Sequence, residues 1–185
     1  MLVLPAVPPR LAGERLFLRP LQEADEQQRL ALGRDPEFHQ LVGGDPARAP
    51  LPLTQEDAAR WYTRYAREPL FWVLELQGDM IGTAWLHSLD AQNRRARYAV
   101  GIFMPEHRSH GYGKEATLQV LGYGFRTLGL HRVDLRVLEF NTAAIAMYYR
   151  CGFVREGLER ESVLIGTAWH NEVLMAVLDS DDRPS

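Results

Sequence analysis

The chain holds one cysteine in 185 residues and no apolar run near the length of a membrane span. A single thiol cannot close an internal disulfide, so the fold cannot depend on one. Met1 to Arg10 carries three prolines and no charged segment ahead of an apolar stretch, which does not read as a signal peptide. With no stretch of about eighteen apolar residues either, the expectation is a soluble, cytoplasmic protein with no membrane partner. Basic excess is missing too. Net charge is −3 with a pI near 6.1, and the densest basic cluster is the short Arg94-Arg95-Ala96-Arg97, so nucleic acid finds no electrostatic footprint. No internal repeat or low-complexity segment is visible.

What is present is enough apolar residue for one packed domain: 46% apolar against 24% charged. A single domain over 1–185 is expected, with a core at about 14–178 and tails at 1–13 and 179–185. Period-two alternation at Arg15 to Arg19 predicts a first strand, and Gln22 to Leu32 a helix ending at Gly33. Arg34 to Leu53, with four prolines and two glycines, reads as a long substrate-facing or mobile loop. Thr54-Gln55-Glu56-Asp57 resembles a capping box that opens a helix through about Arg67. Leu70 to Leu76, Met80 to Leu89 and Arg95 to Met104 then form an antiparallel meander. A helix from Gly113 to about Leu128, a strand at Arg132 to Leu138, a helix after Asn141, and strands at about Phe153 to Leu164 and Ala168 to Leu178 complete a mixed α/β order.

The richest segment is Arg108-Ser109-His110-Gly111-Tyr112-Gly113, with the spacing Arg/Gln-x-x-Gly-x-Gly/Ala at a helix start. Two glycines allow successive N–H groups to point into one concavity where the helix N-terminus adds positive potential, a cradle for pyrophosphate. A Walker loop is excluded, because Arg108 stands where its first glycine is needed and Glu115 follows Lys114. The dinucleotide fingerprint is matched in letters by Gly111, Gly113 and Ala116, with Asp134 and Glu139 downstream. It fits the context poorly, since the polar stretch Pro105 to His110 intervenes and no further βαβ unit follows. NAD binding stays a remote alternative.

A second segment, Asn141-Thr142-Ala143-Ala144-Ile145-Ala146-Met147-Tyr148-Tyr149-Arg150-Cys151-Gly152-Phe153, has Asn at a helix start, Tyr seven residues on and a Gly-Phe stop. With both motifs in this order, the chain resembles the GNAT superfamily of N-acetyltransferases over roughly Arg15 to Leu178. The opening Glu14 to Leu21 and the Thr54-x-Glu56 helix start look like the branch with ribosomal-protein N-terminal and spermidine acetyltransferases. The resemblance implies a mostly antiparallel mixed sheet of about seven strands with about four helices, the fourth and fifth strands splayed to admit an acyl thioester. It also implies acetyl-CoA as donor cosubstrate, no metal, direct attack by a primary amine on a small molecule or protein N-terminus, and a possible homodimer. A non-catalytic acyl-CoA-binding module is the alternative.

Residue by residue, Arg108 offers a cationic fork near the phosphates, and the N–H groups of Ser109, His110, Gly111, Tyr112, Gly113 and Lys114 bind their oxygens. Backbone N–H groups along Gly101, Ile102 and Phe103 are, by resemblance, the polarisers of the thioester carbonyl. Asn141 serves as N-cap and, by resemblance, touches the cofactor. Tyr148 is the acid, stabilising the departing thiolate with proton transfer optional. The base is open: where relatives have an acid on the fourth strand this chain has Tyr98, leaving Glu75, His87, Glu139 or a water relay. His107 and His110 form a His-x-x-His without further ligands at a recognisable spacing. Cys151 reads as a small buried apolar residue rather than a nucleophile. Gly122 and Gly124 suggest close helix-to-sheet contact.

Overall fold

Three successive runs of β-branched and aromatic residues build the centre of the molecule. They are β3 (Phe71–Leu76), β4 (Asp79–Asp90) and β5 (Arg95–Ile102), paired antiparallel as an uninterrupted meander. Gln77 and Gly78 turn the first pair with φ of 54° and 96°, the double positive-φ geometry whose twist matches the flanking strands. In the computed structural model, which describes residues 3–48 and 51–181, five further strands extend this centre into one sheet. On one edge lie β1 (Leu11–Ala12) and β2 (Phe17–Arg19). On the other, β6 (Arg132–Leu138) runs parallel to β5, followed by β8 (Ala168–Leu178) and then β7 (Val154–Ile165).

Eight strands replace the expected seven, because Leu11 and Ala12 of the presumed tail pair with Leu18 and Phe17. Five α-helices replace four: α1 (Ala24–Leu32), α2 (Pro36–Leu41), α3 (Gln55–Tyr65), α4 (Tyr112–Arg126) and α5 (Thr142–Tyr149). The extra one, α2, lies inside the stretch expected to be loop. Asp35 caps it by accepting from the Phe38 N–H at 2.7 Å, and Pro36 takes the first-turn position where a missing N–H costs nothing. The capping box of α3 forms as its letters indicate, with Thr54 and Asp57 each accepting the other's N–H. The tail ends at residues 1–2 and 182–185, and residues 49–50 of the proline-rich stretch, lie outside the described residues.

The sheet is covered on both faces. Against one, α4 lays Ala116, Thr117, Val120, Leu121, Gly124 and Phe125, spaced as one helical face. Together with Tyr148 of α5 these pack on Leu18, Trp72, Leu86, Tyr98 and Val133 in the main core. Complete burial of side chains such as Trp72 and Leu86 contributes roughly 1.5–3 kcal/mol each. Gly124 does mark close contact, since a methyl group there would sit 3.2 Å from Leu130 and 3.7 Å from Leu86. Gly122 does not: its outer side is covered by the flexible Arg126 side chain. The opposite face carries α1, α2 and α3 on a second core of Val73, Met80 and Phe103, with Phe38 and Trp61 packed against it.

Candidate active site

Parallel pairing of β5 with β6 covers only Arg95 to Arg97 against Arg132 to Asp134. Beyond Tyr98 and Leu135 the two strands part, and this is the opening that the resemblance implies between the fourth and fifth strands of its pattern. Antiparallel alternation decides which backbone groups of β5 face it. The Phe103 N–H donates to the Ile81 carbonyl at 3.0 Å, on the β4 side, so Phe103 cannot supply the polarising donor expected of it. Gly101, paired with Thr83, shares that side. Ile102 and Val100 have the other parity, and their N–H groups point toward the gap; Val100 was missed because sequence does not reveal strand parity.

Gly82 keeps β4 close to this segment. A methyl group there would lie 2.1 Å from the Gly101 carbonyl oxygen, so no other residue fits without moving backbone. This glycine could have been suspected from its place mid-strand.

On the α4 face, the loop into the helix alternates in hand. Ser109 (φ 63°) and Gly111 (φ 84°) are both left-handed, and Gly111 is the N-cap residue of α4 with no side-chain cap. The first-turn N–H groups at Tyr112, Gly113 and Lys114 are therefore left for an anion. Lys114, the chain's sole lysine, sits among them. Arg15 fixes the loop from outside: it donates to the His110 carbonyl at 2.8 Å and to Glu115 at 2.9 Å, and lies 4.8 Å over the Tyr112 ring. His110 is turned back on the Arg108 carbonyl at 2.7 Å, and among the described residues no group of three or more His, Cys, Asp or Glu could hold a metal ion.

The Arg108 guanidinium, expected at the phosphates, is engaged elsewhere. It pairs with Asp35 and Glu37 of the α2 start and donates to the carbonyls of Ile102 and Phe103.

Behind the loop, α5 packs beside the start of α4. Asn141 caps α5 by accepting from the Ala144 N–H at 3.2 Å, which leaves its amide NH₂ free to donate. Tyr148 is 6% exposed, edge-on to Phe153. Burial, with Cys151 nearby, pushes its phenol well above the ordinary range, so it stays protonated at any physiological pH. Tyr98 also faces α4, donating to Thr117 at 3.1 Å, which explains why no base stands at that position. Cys151 is wholly buried against Met147 and the Lys114 carbonyl, its thiol pushed up to about 11 by burial, which removes it as a nucleophile.

The three base candidates separate. Glu75 is held by Arg10 and Arg19. His87 pairs with Arg97 at the closed end of the strands, about 17 Å along β4 from Gly82 at ~3.4 Å per residue. Burial first, and Arg97 second, lower its pKa and keep the ring neutral. Glu139 directly follows β6 at the open end and accepts from Asn171 at 2.9 Å.

On the face away from α4, Phe38 covers Gly101 and meets Phe103 edge-on at 5.5 Å. A cavity of about 550 Å³ lies between the end of α2 with the segment after it and the β7–β8 turn, lined by Gln40, Asp45, Phe140, Ile165, Thr167 and His170. Glu172, half-buried opposite Leu138, carries no ion pair among the described residues. Sequence reasoning did not single out His170 or Glu172; the only signal is that, with Asn171, they form a polar run in an otherwise apolar last strand.

Known proteins share this fold. The model of the acetyltransferase (GNAT) domain matches residues 15–154. An uncharacterized N-acetyltransferase of Bacillus subtilis, YoaA, is 28% identical over 158 residues, covering 83% of this chain and 87% of that protein. Spermidine N(1)-acetyltransferase of Vibrio cholerae is 32% identical over 113 residues, 61% of this chain and 65% of that one. The crystal structure of the Vibrio cholerae spermidine N-acetyltransferase with CoA and spermine superposes with a TM-score of 0.76 at 25% identity, covering 91% and 98% of the two chains.

Proposed function

Since the chain belongs to the GNAT acetyltransferase family, as an acetyl-CoA-dependent N-acetyltransferase, we propose that it acetylates a primary amine by direct attack in a ternary complex. The observation that carries this is the gap itself. N–H groups of β5 border it, an uncapped helix N-terminus lies on the α4 face, and Phe38 covers Gly101 on the other. The cradle at Ser109 to Lys114 fits a pyrophosphate, and the gap fits a thin thioester arm whose carbonyl oxygen is met by the Val100 and Ile102 N–H groups. Bound acetyl-CoA supplies the activated acetyl group; the residues of the chain orient and polarise it.

Tyr148 stabilises the departing thiolate. Its raised pKa weakens it as an acid, so it acts mainly as a hydrogen-bond donor. Asn141 steadies the arm with its free NH₂. Glu139, directly or through water, accepts the amine proton, being the candidate base at the open end of the strands. The acceptor is a small amine, such as a polyamine, or a protein N-terminus. Among the described residues neither Glu139 nor Glu172 pairs with an arginine, so both can meet an ammonium group, and the spermidine acetyltransferase of Vibrio cholerae is among the relatives.

Calorimetry with acetyl-CoA, followed by CoA release on a panel of N-terminal peptides, polyamines and aminoglycosides, tests the reading. Micromolar binding and turnover on at least one amine are expected; binding with no turnover across the panel overturns the proposed chemistry.

A further inference from the structure

Arg108 stands first in the cradle motif, yet its guanidinium points away from the cradle. Of its five N–H donors, four are placed: Nε on the Ile102 carbonyl at 3.3 Å, one Nη1 proton on Glu37 at 2.6 Å, and the Nη2 pair on Asp35 and, at 2.7 Å, the Phe103 carbonyl. One positive charge thus faces two carboxylates. A phosphate arriving at this side chain meets a net negative site, and the side chain is only 16% exposed. Withdrawing Arg108 to reach a phosphate would strand Asp35, whose carboxylate is 12% exposed.

What the cluster holds is α2. Asp35 is both the α2 cap and the Arg108 partner. Burial alone would raise its pKa, but the Phe38 N–H and the guanidinium outweigh this and hold the carboxyl below the usual range. One turn on, Phe38 lies beneath the same guanidinium, 5.8 Å away, and covers Gly101. So one side chain ties the carbonyls of Ile102, the last residue of β5, and of Phe103 to the helix whose Phe38 covers Gly101 on the face opposite the cradle.

We propose that Arg108 is a positioning residue of the acceptor side, a strut that fixes α2 and Phe38 over Gly101, and that pyrophosphate is held without it by the backbone and Lys114. This rests on the reading of Ser109 to Lys114 as the pyrophosphate site. Release of the strut lets water reach the thioester and loosens the wall that orients the amine.

Two variants test it, Arg108→Gln and the milder Glu37→Gln, whose carboxylate is largely exposed. Three measurements are compared with the wild type: acetyl-CoA Kd by calorimetry, amide exchange of residues 36–42, and CoA release from acetyl-CoA with no amine present. In Arg108→Gln we expect a Kd changed less than fivefold, α2 exchange faster by tenfold or more, and amine-free CoA release raised severalfold. In Glu37→Gln we expect the same pattern, smaller, with Kd unchanged. A Kd weakened fivefold or more in Arg108→Gln, or tightened in Glu37→Gln as a competitor is removed, assigns the side chain to phosphate and overturns the proposal. Unchanged α2 exchange in both variants overturns it as well. Wild-type protein that binds no acetyl-CoA overturns the functional reading separately, and the exchange measurement still decides the strut.

Discussion

On the α4 side, the β5–β6 gap is bordered by backbone: left-handed residues at Ser109 and Gly111 and the bare first turn of α4. Away from that side the contacts are made by side chains that come from far apart in the chain: Phe38 of α2 covers Gly101, and Asp45, Phe140 and His170 line one cavity. A backbone site suits what every member of a reaction class shares, in the proposed reading the phosphates of the donor. A side-chain site can change residue by residue without disturbing the sheet, and in the proposed reading acceptor choice falls to it.

The contrast can be broken at the hinge between the two sides. Gly82→Ala should have the largest effect, because its methyl group at 2.1 Å from the Gly101 carbonyl oxygen meets backbone that cannot yield cheaply. Displacement of β5 should cost about 2–3 kcal/mol of stability and disturb both sides together, read by denaturant unfolding and by joint loss of acetyl-CoA binding and turnover. Retained activity with unchanged stability would show that β4 and β5 have more slack than the geometry gives.

Tyr148→Phe should separate the sides kinetically. We expect kcat to fall roughly 10²-fold with acetyl-CoA Kd within threefold; an unchanged kcat sinks the acid role. Because the wild-type phenol stays protonated, its titration should not lower turnover below about pH 10.

Cys151 gives a smaller, pH-dependent effect on the cradle side. Its thiol is pushed up to about 11 in the fold, above the unfolded value of 9.0. Above pH 9 the unfolded chain loses that proton more readily than the native one, so stability is full below pH 9 and declines as pH rises toward 11. Cys151→Ala should flatten this decline by about 1–2 kcal/mol while leaving turnover intact, measured by unfolding at pH 8 and pH 10.5. The smallest effect belongs to Gly122→Ala. The methyl group meets only the movable end of Arg126, so helix propensity should add up to about 1 kcal/mol, whereas Gly124→Ala, pressed on Leu130 and Leu86, should gain nothing.

Elements set by local rules were legible in the residues. The meander, the α3 capping box, the Asn141 cap and the strand Arg132 to Leu138 all stand where the pattern puts them, because each depends on neighbours a few positions away. The misreadings share one cause. Proline and glycine between Arg34 and Leu53 suggested loop, but Pro36 begins a helix whose cap, Asp35, is held by Arg108 seventy-three positions on. Leu11 and Ala12 became a strand only because the folded edge of β2 was there to receive them. Phe103 was assigned a donor role that its parity in the β4 ladder denies.

The sequence by itself determined the sheet's centre, the left-handed glycine at the start of α4 and the capping asparagine of α5, because these are local conformational facts, and the two motifs they belong to carried the family resemblance that implied the donor. Only the tertiary structure decided where Arg108 directs its charge, which amides of β5 face the gap, and which distant side chains wall the far side. Those depend on the meeting of surfaces separated by tens of residues, and burial, parity and ion pairing exist only once the chain has closed on itself.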